Sequence, residues 1–253
     1  MSRASEVRII GLPGMPEVQP GDDVGALIVH CCALSDVTLE PGDIVVITHK
    51  VISKSEGRLV DLRDITPSPF AAQFAERYAK DPRQVEVVLR ESARIVRMDR
   101  GLIIAETPHG LICANAGVDA SNVPGDDMVC LLPIDPDASA DRARQSLQSA
   151  LGFDLPVIIT DSFGRPWRDG ITNIAIGVSG LRPLADYRGH EDDYGRTMQA
   201  SLLAIGDELA AASELVMGKV SRAPVAIIRG YPYTAGTGSA RELQMSPQRD
   251  MFR

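Results

Sequence analysis

What the 253-residue sequence lacks already narrows the possibilities. No apolar run approaches the roughly 18 residues that a membrane-spanning helix needs. The opening "MSRASEVRIIGLPGM" has none of the long apolar core that a signal peptide carries. Basic residues are the minority: 26 Lys and Arg stand against 34 Asp and Glu, for a formal net charge of −8. That balance disfavours unspecific binding to nucleic acid or to an anionic membrane. Any phosphate site must then be a local basic pocket on an acidic body. The four cysteines (Cys31, Cys32, Cys113 and Cys130) include an adjacent pair and show no C-x-x-C spacing. Cys113 and Cys130 fall in apolar stretches, where a free thiol behaves as a small hydrophobe. The expectation is a reduced, cytoplasmic protein without structural zinc.

Familiar catalytic signatures are missing too. Gly218-Lys219 is followed by Val220, so no G-x-x-x-x-G-K-[ST] phosphate loop exists, and no G-x-G-x-x-G fingerprint occurs. "TAGTGSARE" has Gly236 and Gly238 but no helix of useful length close behind. His30, His49, His109 and His190 are scattered, without HExxH spacing. The absence of a G-x-S-x-G elbow disfavours hydrolysis through a serine nucleophile.

What is present reads as an ordinary soluble protein, 44% hydrophobic and 24% charged, long enough for one large domain or two small ones. "VRIIGL" (7–12), "GDIVVITHKVIS" (42–53), "LPVIITDS" (155–162), "TNIAIGVSGL" (172–181) and "APVAIIRG" (223–230) read as strands rich in Val and Ile. "DVGALIVHCCAL" (23–34), "SPFAAQFAERYA" (68–79) and the Asp-capped "ASADRARQSLQSAL" (138–151) read as helices. Residues 82–98 read as a helix running into a strand, and 101–117 as a hairpin turning at Thr107–Gly110. The longest helical stretch is expected over 195–218. Helices and strands mix without strict βαβ alternation, and neither a Pro/Ser-rich linker nor an internal repeat divides the chain. The reading is an α+β fold of mixed sheets with packed helices, one catalytic unit over 1–253 built as a single body or as two intertwined lobes.

Two strands are expected to end in carboxylates. "VIIT" is followed by Asp161-Ser162, and "ICANAGV" by Asp119, with Asn122 beyond it. A buried strand that meets water commonly ends in polar residues, and Asx residues favour turns. Two such ends, however, offer hard oxygen ligands converging from distant segments, which suit magnesium or manganese. Arg165 and Arg168 nearby are suited to planar, bidentate pairing with phosphate or carboxylate. Trp167, the only tryptophan, is read as packing. Lys50 and Lys54 are a solvated turn on the bland reading and a polyphosphate clamp on the other. "GLPGMPEVQPGDD" (11–23) serves equally as a plain loop and as an anion-binding nest.

Taken together, "GLPGM", "VISKSEG", "NAGVDASNV", "ITDSFGRPWRDG", "AIGVSGL", "YGR" with "GDELAAASELVMGK", and "PVAIIRG" resemble the F420 γ-glutamyl ligase family, in family order and over nearly the whole chain. The chain looks like the stand-alone form, without the nitroreductase-like domain fused to some bacterial relatives. The resemblance implies GTP-dependent addition of L-glutamate to coenzyme F420-0, with further glutamates in some members. It also implies Mg2+ or Mn2+, help from a monovalent cation such as K+, and a homodimer with its active site near the interface. Carried over by position, Asp119, Asp161 and Ser162 match metal-binding positions and Asn122 a nucleotide contact. Leu12, Pro13, Gly14, Met15, His49, Lys50, Lys54 and the segment Met217, Gly218, Lys219, Val220 and Ser221 match the GTP-binding stretches. The family often has Asp-Thr where this chain has Asp161-Ser162, which keeps the hydroxyl. Archaeal members can carry a metal-binding Glu where Lys219 stands, and the loop after it looks one residue shorter here. A protonated lysine cannot coordinate, so Lys219 is read as neutralising phosphate charge. His49 is the only candidate for a general base, on pKa grounds alone.

Two rival readings use the same residues. A metal-dependent phosphatase or phosphotransferase would release phosphate from GTP without an amine acceptor. A non-catalytic GTP-binding protein would yield no product.

Overall fold

The computed structural model describes residues 6–246 and 248–250. The opening "MSRAS", with part of the expectation about a leader, lies outside the described residues. The central sheet has five strands: β1 (Arg8–Leu12), β2 (Ile44–Thr48), β8 (Val157–Arg165), β9 (Arg168–Ser179) and β12 (Val225–Arg229), in the order β1-β12-β2-β8-β9. Only β2 and β8 run parallel; the other pairs are antiparallel. Alternation along β2, β8 and β12 sends residues to two cores. Val45, Ile47, Val157, Ile159, Val225 and Ile227 face helices α1 (Val24–Leu34) and α5 (Pro136–Leu151). Ile44, Val46, Ile158, Ala226 and Ile228 face α6 (Ile205–Met217). Covered on both faces, these strands lose the alternation of polar and apolar residues and read as continuous apolar runs.

A third cluster lies in the middle of the chain. It joins α3 (Pro69–Tyr78) and α4 (Pro82–Arg90) to β4 (Arg94–Asp99), β5 (Leu102–Glu106) and β6 (Ile112–Ala114), which form a sheet of their own. The short pair β3 (Leu59–Asp61) and β7 (Met128–Cys130) closes it. Two further short strands, β10 (Ala185–Asp186) and β11 (Leu202–Leu203), pair with each other. The arrangement is the α+β fold expected. Helix starts follow local chemistry: Ser68, Asp81 and Asp135 cap α3, α4 and α5 through side-chain oxygens, each with proline in the first turn.

The structure corrects several readings. The strand expected over 42–53 stops at Thr48, and His49–Ser55 forms the helix α2. Val51 and Ile52 suggest a strand by composition, but both are buried on this helix. The long helix expected over 195–218 is only Ile205–Met217, leaving α5 the longer. Before it, Gly195 with positive φ and the polar residues around it form an exposed arm instead. The strand expected to end at Asp161-Ser162 continues to Arg165 and turns into β9, which begins at Arg168 rather than in the 170s. All four cysteines are free and buried, as expected of small apolar side chains.

Candidate active site

Because β2 and β8 are parallel and in register, Thr48 pairs with Thr160. The next residue on each chain is therefore also adjacent: His49, opening α2, beside Asp161. A ligand site at the carboxyl ends of adjacent parallel strands is the common solution in sheets of this kind. Between β8 and β9 the register shifts at Ile159/Thr160, so that Asp161 pairs with Ile174 and Ser162 with Asn173. Such a bulge bends the strand and re-aims its side chains. A carboxylate can thus leave the plane of a strand that carries on past it.

His49 is almost wholly buried, with Nε2 3.4 Å from Asp161 Oδ1 and Nδ1 3.3 Å from Ser53 Oγ. Burial pushes its pKa below the ordinary imidazole value, and the opposing pull of Asp161 does not reverse this. The ring is therefore neutral at neutral pH. Nε2 thus lies against the Asp161 carboxylate, and Nδ1 shares a hydrogen bond with the Ser53 hydroxyl whose direction follows the ring tautomer. Asp161 Oδ1 accepts from the Ser162 amide at 2.7 Å. Enclosed in this way, His49 positions Asp161; its ring does not open onto solvent as a base for an incoming amine would.

Asp119 is tied to the same strand–helix junction: Asp161 lies against His49 and Asp119 against the next residue, Lys50. Asp119 reaches the site through an isolated bridge to Cys130, the last residue of β7. Its Oδ2 accepts from Lys50 Nζ at 2.6 Å and from Ser121 Oγ at 2.8 Å, and its Oδ1 from the Ser121 amide. Burial works to raise the Asp119 pKa, but Lys50 and Ser121 outweigh it and hold the carboxyl below its usual range. Lys50 sits one residue into α2, so a single strand–helix junction supplies the ring behind Asp161 and the ammonium on Asp119.

A second network adjoins the first. Ser162 Oγ donates to Asn173 Oδ1 at 2.6 Å, and Asn173 Nδ2 donates to Glu214 Oε2 at 3.0 Å. Lys219 Nζ donates to Ser162 Oγ at 2.6 Å and pairs with Glu214 at 3.0 Å. Around it, Met217 is buried, Gly218 has positive φ, Ser221 Oγ donates to the Met217 carbonyl, and Val220 is exposed. Lys54, at the far end of α2, pairs with Glu17 of the loop after β1 at 2.6 Å. In that loop Leu12 is buried, Pro13 and Gly14 are exposed, and Met15 packs on the core. Asn122 is exposed with positive φ. Arg165 and Arg168 pair across the β8–β9 turn and are exposed, four residues and more beyond Asp161. Arg165 donates to the Asp169 carbonyl at 3.0 Å. Trp167, read as packing, is instead 82% exposed.

Among the described residues no group of three or more His, Cys, Asp and Glu side chains is arranged to hold a metal ion. Asp119, Asp161 and Ser162 offer two carboxylates and a hydroxyl. A Mg2+-type ion commonly takes one or two carboxylates plus water and substrate phosphate, so this donor set fits one once Lys50 moves from Asp119 to a phosphate. Oxygen donors beside ammonium groups are the groups that phosphoryl-transfer chemistry uses.

The sequence model for "F420-0:Gamma-glutamyl ligase" matches residues 14–230. The chain belongs to the F420-0:gamma-glutamyl ligase family. It is therefore a ligase of coenzyme F420 biosynthesis, not the phosphatase of the rival reading. It is 44% identical over 250 residues to the coenzyme F420:L-glutamate ligase of Methanothermobacter thermautotrophicus, covering 98% of this chain and 99% of that one. To the ligase of the same name from Methanopyrus kandleri it is 47% identical over 252 residues, 98% of each chain. For that of Methanocaldococcus jannaschii the figures are 40% over 249 residues, 98% and 97%.

Three residues of the candidate site escaped the sequence reading: Ser121, Asn173 and Glu214. Asn173 left a signal, an amide inside the apolar run "TNIAIG" that no buried strand carries without a partner. Glu214 left none, since glutamate on an amphipathic helix is ordinary.

Proposed function

We propose that the chain is one catalytic unit over 1–253 that adds L-glutamate to coenzyme F420-0 with GTP as phosphoryl donor. The free carboxylate of the acceptor is a poor electrophile with a poor leaving group. Transfer of the γ-phosphoryl group to it gives GDP and an acyl phosphate. The glutamate amine then attacks the acyl carbon, phosphate leaves, and an amide forms. This chemistry asks the protein mainly for positioning and charge neutralisation. Asp119, Asp161 and Ser162 would hold Mg2+ or Mn2+, which supplies Lewis-acid polarisation of phosphate oxygens. His49 keeps Asp161 oriented. Lys50 and Lys219, each within reach of one of these oxygens, offset the triphosphate charge together with Lys54. The loop Leu12–Met15, Asn122 and the segment Met217–Ser221 border the nucleotide, and Arg165 and Arg168 hold anionic groups of the acceptor. We place the protein in the cytoplasm as a homodimer helped by K+.

The observation that supports this reading best is that Asp119 and the Ser162 hydroxyl are each paired with a lysine from another element. Those cations are positioned to pass from protein oxygens to a phosphate. The test is mass spectrometry of F420-0 incubated with GTP, Mn2+ and L-glutamate. A product one glutamate heavier, with phosphate release that requires both F420-0 and glutamate, is expected. Phosphate released from GTP alone at the same rate sinks the proposal.

A further inference from the structure

The β8–β9 turn has an unexpected residue at its apex. Arg165 and Arg168 pair across it, leaving Pro166 and Trp167 as a two-residue loop. Trp167 has φ of 56°. In a turn with proline first, the position after it takes positive φ and favours glycine or asparagine; a bulky side chain there is rare and strained. The fold alone therefore favours a small residue at this point. The chain instead carries its only tryptophan, 82% exposed, with a guanidinium on each side. Ile171, also exposed, continues the apolar surface along β9.

The turn grows directly out of the active site. Asp161 and Arg165 lie on one strand, four residues apart, so at roughly 3.3 Å per residue the turn begins about 13 Å along the backbone from Asp161. That spacing suits an acceptor whose reacting carboxylate is joined through an anionic chain to a flat ring. We propose that Trp167 is the platform on which the acceptor's planar ring stacks, with Arg165 and Arg168 taking the anionic chain. This rests on the ligase reading and deepens it. Stacking on an aromatic face accepts any flat ring, and guanidinium groups hold phosphodiesters by paired hydrogen bonds.

The single tryptophan makes the test direct. Intrinsic fluorescence is titrated with F420-0, with GTP and with glutamate separately, corrected against free tryptophan amide at equal absorbance. Saturable quenching by F420-0 alone is expected. Trp167→Gly, which relieves the backbone at positive φ, is expected to keep its Tm and its KM for GTP and glutamate. Its KM for F420-0 should rise roughly five- to a hundredfold, by the loss of one stacking contact, and Trp167→Phe should recover part of it. Quenching by GTP instead of F420-0, or an unchanged acceptor KM in Trp167→Gly, overturns the proposal. So does blue-shifted emission of the free protein together with loss of a dimer in Trp167→Gly, which means that the turn packs on a second copy. Turnover without quenching refutes the platform alone. Quenching without any glutamylated product refutes the ligase reading alone.

Discussion

Replacing Asp161 by asparagine or by alanine separates its charge from its hydrogen bonds. The carboxylate is mostly buried, lies 3.4 Å from His49 Nε2 and accepts from the Ser162 amide. Asparagine keeps an acceptor at Oδ1, so Asp161→Asn should stay within about 1 kcal/mol of the parent in stability. Alanine leaves the buried His49 Nε2 without its polar neighbour, a loss of about 1–3 kcal/mol. For a protein of this length each kcal/mol moves Tm by roughly 2–4 °C, so Asp161→Ala should melt about 2–12 °C lower. Activity should not follow that ranking. Both variants remove the negative charge that holds a cation against the phosphates, and losing one preorganised electrostatic group commonly costs about 100- to 1,000-fold in kcat. Calorimetric melting with single-turnover assays of glutamate addition reads the two effects apart. An Asp161→Asn protein that melts normally and turns over at the parent rate removes Asp161 from the reaction. An Asp161→Ala protein with unchanged Tm removes His49 from its positioning role.

Three further perturbations probe other levels. Lys219→Met breaks an exposed ion pair, so stability should change by less than about 1 kcal/mol; a charged hydrogen bond to phosphate is worth about 1.5–3 kcal/mol, so KM for GTP should rise roughly ten- to hundredfold, and an unchanged KM excludes phosphate contact. At Gly177 an added Cβ would collide with the Pro136 backbone carbonyl at the start of α5, so Gly177→Ala should lose about 1–3 kcal/mol in a urea melt, and a neutral result would mean that α5 and β9 separate readily. Asp81 caps α4 and bonds Arg83, which holds its carboxyl below the usual value near 3.8. A depressed folded pKa stabilises above the unfolded value and is lost as pH falls through the folded one. Tm should therefore drop more steeply below about pH 4 in the parent than in Asp81→Asn, which keeps the cap without the titration; parallel curves would refute the coupling.

The legible part of this protein was the part written in local chemistry. The Ser-Pro pair announced the start of α3, the helix read over 138–151 stands as α5 but starts two residues earlier behind Asp135, and buried strands appeared as Val/Ile runs. These signals work because caps and β-branched packing are decided within a few residues. Where tertiary context decides, the same signals mislead. "HKVIS" has strand composition but turns helical directly after β2, and "GRTMQASLL" has helix formers but lies in an exposed arm. Strand pairing is likewise invisible in a string of letters, so nothing marked β8 as continuing to Arg165 alongside β9.

The site divides along the same line, and its division explains how carboxylates were found while their partners were not. Asp161 and Asp119 stand out because each interrupts or follows an apolar run, and a charge there has to be explained. What makes them a site is the parallel register of β2 and β8, which brings His49 against Asp161, and the reach of two lysines from α2 and from the loop after α6. Neither has a local signature. Trp167 shows the reverse: its rarity was plain, but its burial was inferred from hydrophobicity, and a ring 82% exposed at a turn contradicts that inference. An aromatic residue held outward, at a backbone position that disfavours it, is explained better by a ligand than by the fold.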